Sequence, residues 1–305
     1  MQHLLNFNAL SINDIYPLFD LAEEFLQSHI LAPSVSTSLE GHIVANLFFE
    51  PSTRTRNSFE IAASRLGAIV ISPDMSQSAL QKGETLLDTF HNLEAMGVSA
   101  FVVRHKDNNF SSITAGKLHS KASIINAGDG TNQHPTQALL DLFTIKQAKP
   151  DFHKLSIAIV GDILHSRVAN SLIDGLNLLG VPDIRLVAPA ELLPTTVPPY
   201  SSVSTDNKLS TGIRNVDVVI CLRLQKERMN NISIDCHQFA QSFCVTDAAL
   251  AQAKPSAIIM HPGPMNRDIE ISSSVADGCK SLILQQVKNG VAMRMAIFRT
   301  ILLLK

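Results

Sequence analysis

Between Phe48 and Glu60 the chain reads FFEPSTRTRNSFE. An apolar run stops at Glu50 and Pro51. Hydroxyl and cationic side chains follow at Ser52, Thr53, Arg54 and Thr55. Ser52 stands where a helix would be capped, because Phe59, Ala62, Ala63 and Leu66 recur at helical spacing beyond it. The first N–H groups of a helix lack internal partners, and the helix dipole favours an anion beside them. The hydroxyls add neutral donors, and Arg54 adds a fork of charged ones. Two readings fit these residues: a phosphate cradle made without a glycine-rich loop, or an ordinary capped helix with solvated arginines.

Further stretches carry the same chemistry. GDGTNQHPTQALLDLF (128–143) sets His134 at the mouth of a helix, with Pro135 and Gln137 in its first turn. A histidine there is either structural or, as a neutral imidazole, able to polarise a carbonyl oxygen. VVRH (102–105) leaves Arg104 just past an apolar strand. SALQKGETLLDT (78–89) carries Ser78 and Lys82 in a polar loop that, alone, reads as solvated surface. GDILHSR (161–167) follows a strand but is not the G-x-G-x-x-G of dinucleotide folds. Arg167 at a helix start works against the dipole unless an anion bridges it. CLRLQKER (221–228) puts Arg223 and Gln225 past another strand. MHPGPMNR (260–267) has two prolines around a glycine, a rigid turn whose carbonyls are free to accept hydrogen bonds. Cations and neutral donors thus stand at strand ends in both halves. No carboxylate pair, Ser-His-Asp set or metal cluster competes with them. The inventory suits multiply anionic ligands and transfer chemistry by positioning and electrostatics.

The elements that must hold these residues alternate. Strands are predicted at 42–49, 68–72, 100–103 and 122–125, with helices near 12–28, from Ser52, near 84–97, near 109–117 and near 135–148. Pro17 makes the start of the first helix a weak point. The polar stretch KPDFHK (149–154) marks a domain junction. Strands at 156–160, 183–187, 217–221 and 256–260 follow, with helices near 167–179 and 281–303. The Pro-, Ser- and Thr-rich stretch 189–210 reads mainly as loop. Two rounds of alternation predict two α/β domains with parallel sheets, whose ligands bind beyond the carboxyl ends of the strands.

Composition agrees. The 305 residues, 45% hydrophobic, suit two domains. A net charge of −2 gives no global basic field for nucleic acid. No apolar run approaches the roughly 20 residues of a membrane span, and no signal peptide is evident, so a cytoplasmic protein is expected. The four cysteines, Cys221, Cys236, Cys244 and Cys279, form no C-x-x-C pair and read as reduced thiols without a metal.

STRTR (52–56) and HPTQ (134–137) resemble the two shared signatures of the aspartate and ornithine carbamoyltransferase family. The resemblance runs from LFFEPSTRTRNSFE to NGVAMRMA (289–296), essentially the whole chain, with several motifs in order. It implies two doubly wound parallel-sheet domains, with the active site in the crevice between them and at a subunit interface. Residues 1–148 would bind carbamoyl phosphate and 149–284 aspartate. The C-terminal helix, 285–305, would pack back on the first domain. Ser52, Thr53, Arg54, Thr55 and Arg104 would hold the phosphate. Thr55, Arg104 and His134 would polarise the carbamoyl oxygen. Gln137 and the carbonyls near Pro262, Gly263 and Pro264 would hold the carbamoyl NH2.

The resemblance also implies that Arg167 binds the α-carboxylate of aspartate, and Arg223 with Gln225 its β-carboxylate. Ser78 and Lys82 would reach a neighbouring subunit's site, which makes a homotrimer the active unit. Glu50 would pair with Arg167 and Arg228 on domain closure. The implied reaction carbamoylates L-aspartate for de novo pyrimidine synthesis by direct attack through a tetrahedral intermediate, without metal or cofactor. A regulatory chain or dihydroorotase-like partner is implied for some members. Ornithine relatives carry a cysteine in HCLP and an SMG segment; this chain has HPGP (261–264) and no SMG. The glycine departs from the HPLP of another form of the family, so Gly263 is expected to act through its backbone alone. Alternatives are an ornithine or other amino-acid carbamoyltransferase, or a non-catalytic anion-binding relative. The latter should lack some of Arg54, Lys82, Arg104 and His134, and all are present.

Overall fold

A computed structural model describes residues 1–31, 36–75, 84–196, 199–229 and 234–303. The chain forms two compact units, Met1–Leu140 with Lys288–Lys305, and Asp141–Val287. The first holds β1 (Ile43–Phe48), β2 (Ile69–Ile71), β3 (Val98–His105) and β4 (Ser123–Asp129), in the order β2-β1-β3-β4. The second holds β5 (Ser156–Gly161), β6 (Asp183–Val187), β7 (Val203–Asp206), β8 (Val218–Leu222) and β9 (Ile258–Met260), in the order β7-β6-β5-β8-β9. Every pairing between these strands is parallel. The strand order reverses at β1/β3 in one sheet and at β5/β8 in the other. These are the points where open α/β sheets leave a crevice at their carboxyl edge.

The central strands read as apolar runs because parallel sheets are covered on both faces. All five residues of β8 and all seven of β4 are buried. In the first unit, helix Thr53–Arg65 turns Phe59, Ala62 and Ala63 inward. Phe59 meets Phe298 of the last helix (Ile283–Leu303) edge to face, with centroids 5.8 Å apart. Burying one such ring contributes roughly 1.5–3 kcal/mol. Arg294 lies over the Phe59 ring at 4.7 Å, and Arg299 reaches Glu24 at 3.3 Å.

The structure departs from the predicted elements in places. The first helix, Ile12–Phe25, contains Pro17 and passes into a π-helical stretch, Leu26–Leu31. The stretch read as loop contains β7, an edge strand that is nowhere fully buried and carries no apolar alternation. Helix Cys236–Phe243 was not anticipated; it buries only Phe239 and Phe243. All four cysteines are free thiols. Among the described residues no helix is long and apolar enough to cross a membrane.

Candidate active site

In the first unit, strand register gathers the predicted residues. Phe48 lies beside Arg104 in the β1/β3 ladder, and His105 beside Asp129 in the β3/β4 ladder. Parallel strands end on the same edge, so the segments that follow β1, β3 and β4 are neighbours. Helix Thr53–Arg65 begins there. Its N-cap residue, Ser52, makes no side-chain cap hydrogen bond, and no acidic residue occupies the first turn. A helix start without its own carboxylate or capping hydroxyl keeps its amide donors for another acceptor. Arg54 is exposed, whereas Thr55 is buried. Arg104 Nη1 donates to the Ala127 carbonyl at 3.1 Å, and its Nε lies 3.5 Å from Glu50 Oε2. Glu50, expected to act in closure, is therefore a partner of Arg104.

The loop after β4 is organised by a residue the sequence reading did not select. Asp129 is buried and accepts four hydrogen bonds. Its donors are Asn126 Nδ2 at 3.0 Å, the Gln133 amide at 3.0 Å, the Asn109 amide at 2.7 Å and Asn132 Nδ2 at 3.1 Å. This fixes the turn that delivers His134 and Gln137, both buried, to the start of helix Pro135–Ala148. Gly130 has φ +46°, and a Cβ there would lie 1.9 Å from Asn108 Oδ1. Only glycine fits that approach without displacement. The signal available in the sequence was the Asp between two glycines; its partners were not visible there.

His105 supports the end of β3. Its ring stacks on Phe110 with centroids 3.9 Å apart, and its Nδ1 accepts the Asp107 amide at 3.1 Å. Burial holds its pKa below the ordinary histidine value; Lys106 adds to this, and the charges of Asp107 and Glu50 oppose it.

The second unit repeats the plan. Gly161 pairs with Leu222 across β5/β8, and Ile220 with Met260 across β8/β9. The loops carrying Arg167, Arg223 and the HPGP turn therefore leave one sheet edge side by side. Arg167 is buried and opens helix Arg167–Leu178, whose cap Ser166 accepts the Ala169 amide at 3.1 Å. Asp162 is the organiser here and was also not singled out. It accepts the His165 amide at 3.2 Å, His165 Nδ1 at 2.8 Å and the Gln225 amide at 3.1 Å. Gln225 Nε2 donates to the His165 carbonyl at 2.9 Å. Gln225, expected to hold ligand, is thus also a strut between two loops.

Arg223 is paired with Glu227: Nη1 lies 3.2 Å from Oε2, and Nη2 meets Oε1. Burial pushes the Glu227 carboxyl pKa up, but the hydrogen bond from Arg223, a backbone hydrogen bond and the charges of Arg223 and Arg228 together hold the group below its ordinary value. Glu227 thereby fixes the plane of the guanidinium, which any ligand carboxylate must share. His261 is buried. Its Nδ1 accepts the Gly263 amide at 2.8 Å, so its Nε2 carries the proton when neutral and donates toward Glu270 at 3.3 Å. Gly263 has φ +67°, where a side chain would be strained. Ser78 and Lys82 lie outside the described residues.

Known proteins resemble the chain over nearly its whole length. Residues 2–147 match the family model described as aspartate/ornithine carbamoyltransferase, carbamoyl-P binding domain. Residues 153–301 match the Asp/Orn binding domain of the same family. The chain is 56% identical, over 301 residues, to an aspartate carbamoyltransferase catalytic subunit from Coxiella burnetii, covering 99% of this chain and 96% of that one. A solved aspartate transcarbamoylase from Trypanosoma cruzi, in complex with carbamoyl phosphate and aspartate, superposes with a TM-score of 0.88 at 31% identity, covering 99% of this chain and 97% of that one. An ornithine carbamoyltransferase from Thermus thermophilus superposes with a TM-score of 0.85 at 25% identity, with 99% of each chain covered. The backbone alone therefore does not choose the acceptor.

Proposed function

The chain belongs to the aspartate/ornithine carbamoyltransferase family, and we propose that it transfers the carbamoyl group of carbamoyl phosphate to the amine of L-aspartate. The products are N-carbamoyl-L-aspartate and phosphate, for pyrimidine biosynthesis. The observation that carries this reading is the opening of helix Thr53–Arg65, which offers donors and no acid beside the strand end bearing Arg104.

Ser52, Thr53, Arg54, Thr55 and Arg104 bind the phosphate. Ser78 and Lys82 join them from a neighbouring chain, and Lys82 also meets aspartate. Thr55, Arg104 and His134 stabilise the negative charge that the carbamoyl oxygen acquires. Gln137 and the backbone carbonyls of the Pro262–Pro264 turn, including Gly263, orient the NH2. Arg167 takes the α-carboxylate of aspartate; Arg223 and Gln225 take the β-carboxylate.

The neutral amine of aspartate attacks the carbamoyl carbon, and a C–N bond forms as the carbonyl electrons move to oxygen. The tetrahedral intermediate collapses, the C–O bond to phosphate breaks, and phosphate carries away the amine proton. Fixed positive charge and alignment supply the acceleration. We assign the chain to the cytoplasm, as a homotrimer with shared sites, alone or with a regulatory or dihydroorotase-like partner.

The acceptor reading is supported by Arg223, whose planar fork suits a ligand carboxylate. Quantifying the ureido product formed from carbamoyl phosphate with L-aspartate or with L-ornithine tests this. Product with aspartate alone is expected. Product with ornithine alone would overturn the acceptor assignment and leave the carbamoyl phosphate half standing.

A further inference from the structure

One cluster in the first unit has no part in the transfer chemistry. His91 and Glu94 lie three residues apart on helix Leu86–Ala95, a spacing that puts both on one helix face. His119 comes from the segment after helix Phe110–Ala115. The two imidazoles stack with centroids 3.8 Å apart and planes 16° apart. One potential ligand atom from each of the three residues lies within 4.8 Å of the others.

We propose that His91, Glu94 and His119 form a surface site for one divalent transition-metal ion, Zn2+ by its chemistry, with coordination positions left open to water or to a side chain of another molecule. Two imidazoles and one carboxylate select borderline ions of the zinc class over magnesium or calcium. The surrounding contacts already orient two of the ligands. His91 Nε2 lies 3.0 Å from the Lys117 carbonyl, which can only accept, so Nε2 carries the proton. The lone pair is then on Nδ1. A ring N–H given to a backbone carbonyl is the usual support for a metal-bound histidine.

Glu94 is steered in the same way, by the amides of His119 at 3.1 Å and Ser120 at 2.7 Å, one on each oxygen. A carboxylate has about four lone-pair directions, so two remain for a cation. Tetrahedral ligands at about 2.0–2.2 Å from zinc sit about 3.4 Å from each other. Because the two ring planes are nearly parallel, their lone pairs do not yet converge, and His119, the exposed member, must swing out of the stack to turn a nitrogen toward a shared ion. Helical spacing makes the His91–Glu94 pair visible in the sequence, but the third ligand comes from a separate segment.

The test is equilibrium dialysis of the chelator-stripped, full-length chain against Zn2+ with its thiols alkylated, so that Cys236 and Cys279 cannot bind. The wild-type chain is expected to retain one equivalent. The His119→Ala and His91→Ala variants, checked for folding by circular dichroism, should each bind about tenfold or more weakly. Loading the wild-type chain with Co2+ should give the visible bands of nitrogen and oxygen ligation. No zinc on the wild-type chain, equal binding by the variants, or loss in only one of the two would overturn the three-ligand site.

Discussion

At the scale of single residues, the hydrogen-bonding centres of both units are buried aspartates, not the cations proposed to bind ligand. Asp129 ties four donors around the turn before His134. Removing it strands buried amides, each worth about 1–3 kcal/mol when left without an acceptor. Asp129→Ala should therefore destabilise the first unit by about 3 kcal/mol or more, read from the urea midpoint, and activity should fall with it. A shift within experimental scatter would show that the turn holds without its carboxylate. His105 makes a pH prediction. Its folded pKa lies below the ordinary 6.5 because of burial. As pH falls through about 6.5, the unfolded chain takes up a proton that the folded chain refuses, so stability declines down to the folded value. His105→Phe keeps a ring against Phe110 but cannot protonate. Its melting temperature should lose less between pH 7 and 5 than the wild type's, and parallel curves would remove His105 as the cause.

At the scale of elements, two serines at two helix starts do different work. Ser166 caps helix Arg167–Leu178 through the Ala169 amide, whereas Ser52 makes no such bond at helix Thr53–Arg65. Ser166→Ala should cost about 1 kcal/mol of stability and, by loosening the turn that starts with Arg167, raise KM for aspartate. Ser52→Ala should change stability by less than about 0.5 kcal/mol, yet raise KM for carbamoyl phosphate. Denaturation and steady-state kinetics on both variants separate the two roles; equal stability losses would contradict the difference in capping. This contrast also shows where sequence is legible. Apolar runs such as SIAIVG and the stripe behind Ser52 announced their strand and helix, because burial on a parallel sheet demands them. Helix Pro135–Ala148 matched its predicted ends, since Pro135 and Lys149-Pro150 punctuate it. Strand β7 was not legible. An edge strand needs only backbone partners, and VSTD carries no apolar alternation. Asp129 and Asp162 were missed for a related reason: four of their donors are backbone N–H groups, some distant in sequence, that leave no residue-type signature. The cationic ligand-binding candidates stood out because their charge is unusual at a strand end.

At the scale of the whole molecule, the last helix belongs largely to the first unit, although it follows the second in sequence. Phe298 is fully buried against Phe59. Phe298→Ala should cost about 3–5 kcal/mol through the cavity it leaves. Hydrogen exchange should localise the loss to amides of β1, β3 and β4, with β5, β6 and β8 unchanged. Uniform loss in both sheets would refute the division into units. The shared site proposed for the trimer makes a sharper prediction. Suppose Arg54 of one chain and Lys82 of its neighbour serve the same site. A trimer of Arg54→Ala chains then lacks the first group everywhere, and a trimer of Lys82→Ala chains lacks the second. Both should be nearly inactive. In a ring of mixed composition there is one boundary at which an intact Arg54 faces an intact Lys82, whichever parent is in the majority. After random exchange of equal amounts, about one site in four should regain both groups. Recovery should rise with the measured fraction of mixed trimers and vanish without exchange. If each chain instead supplied its own Lys82, no arrangement could bring the two intact residues together. Activity would then stay at the parental floor despite demonstrated exchange.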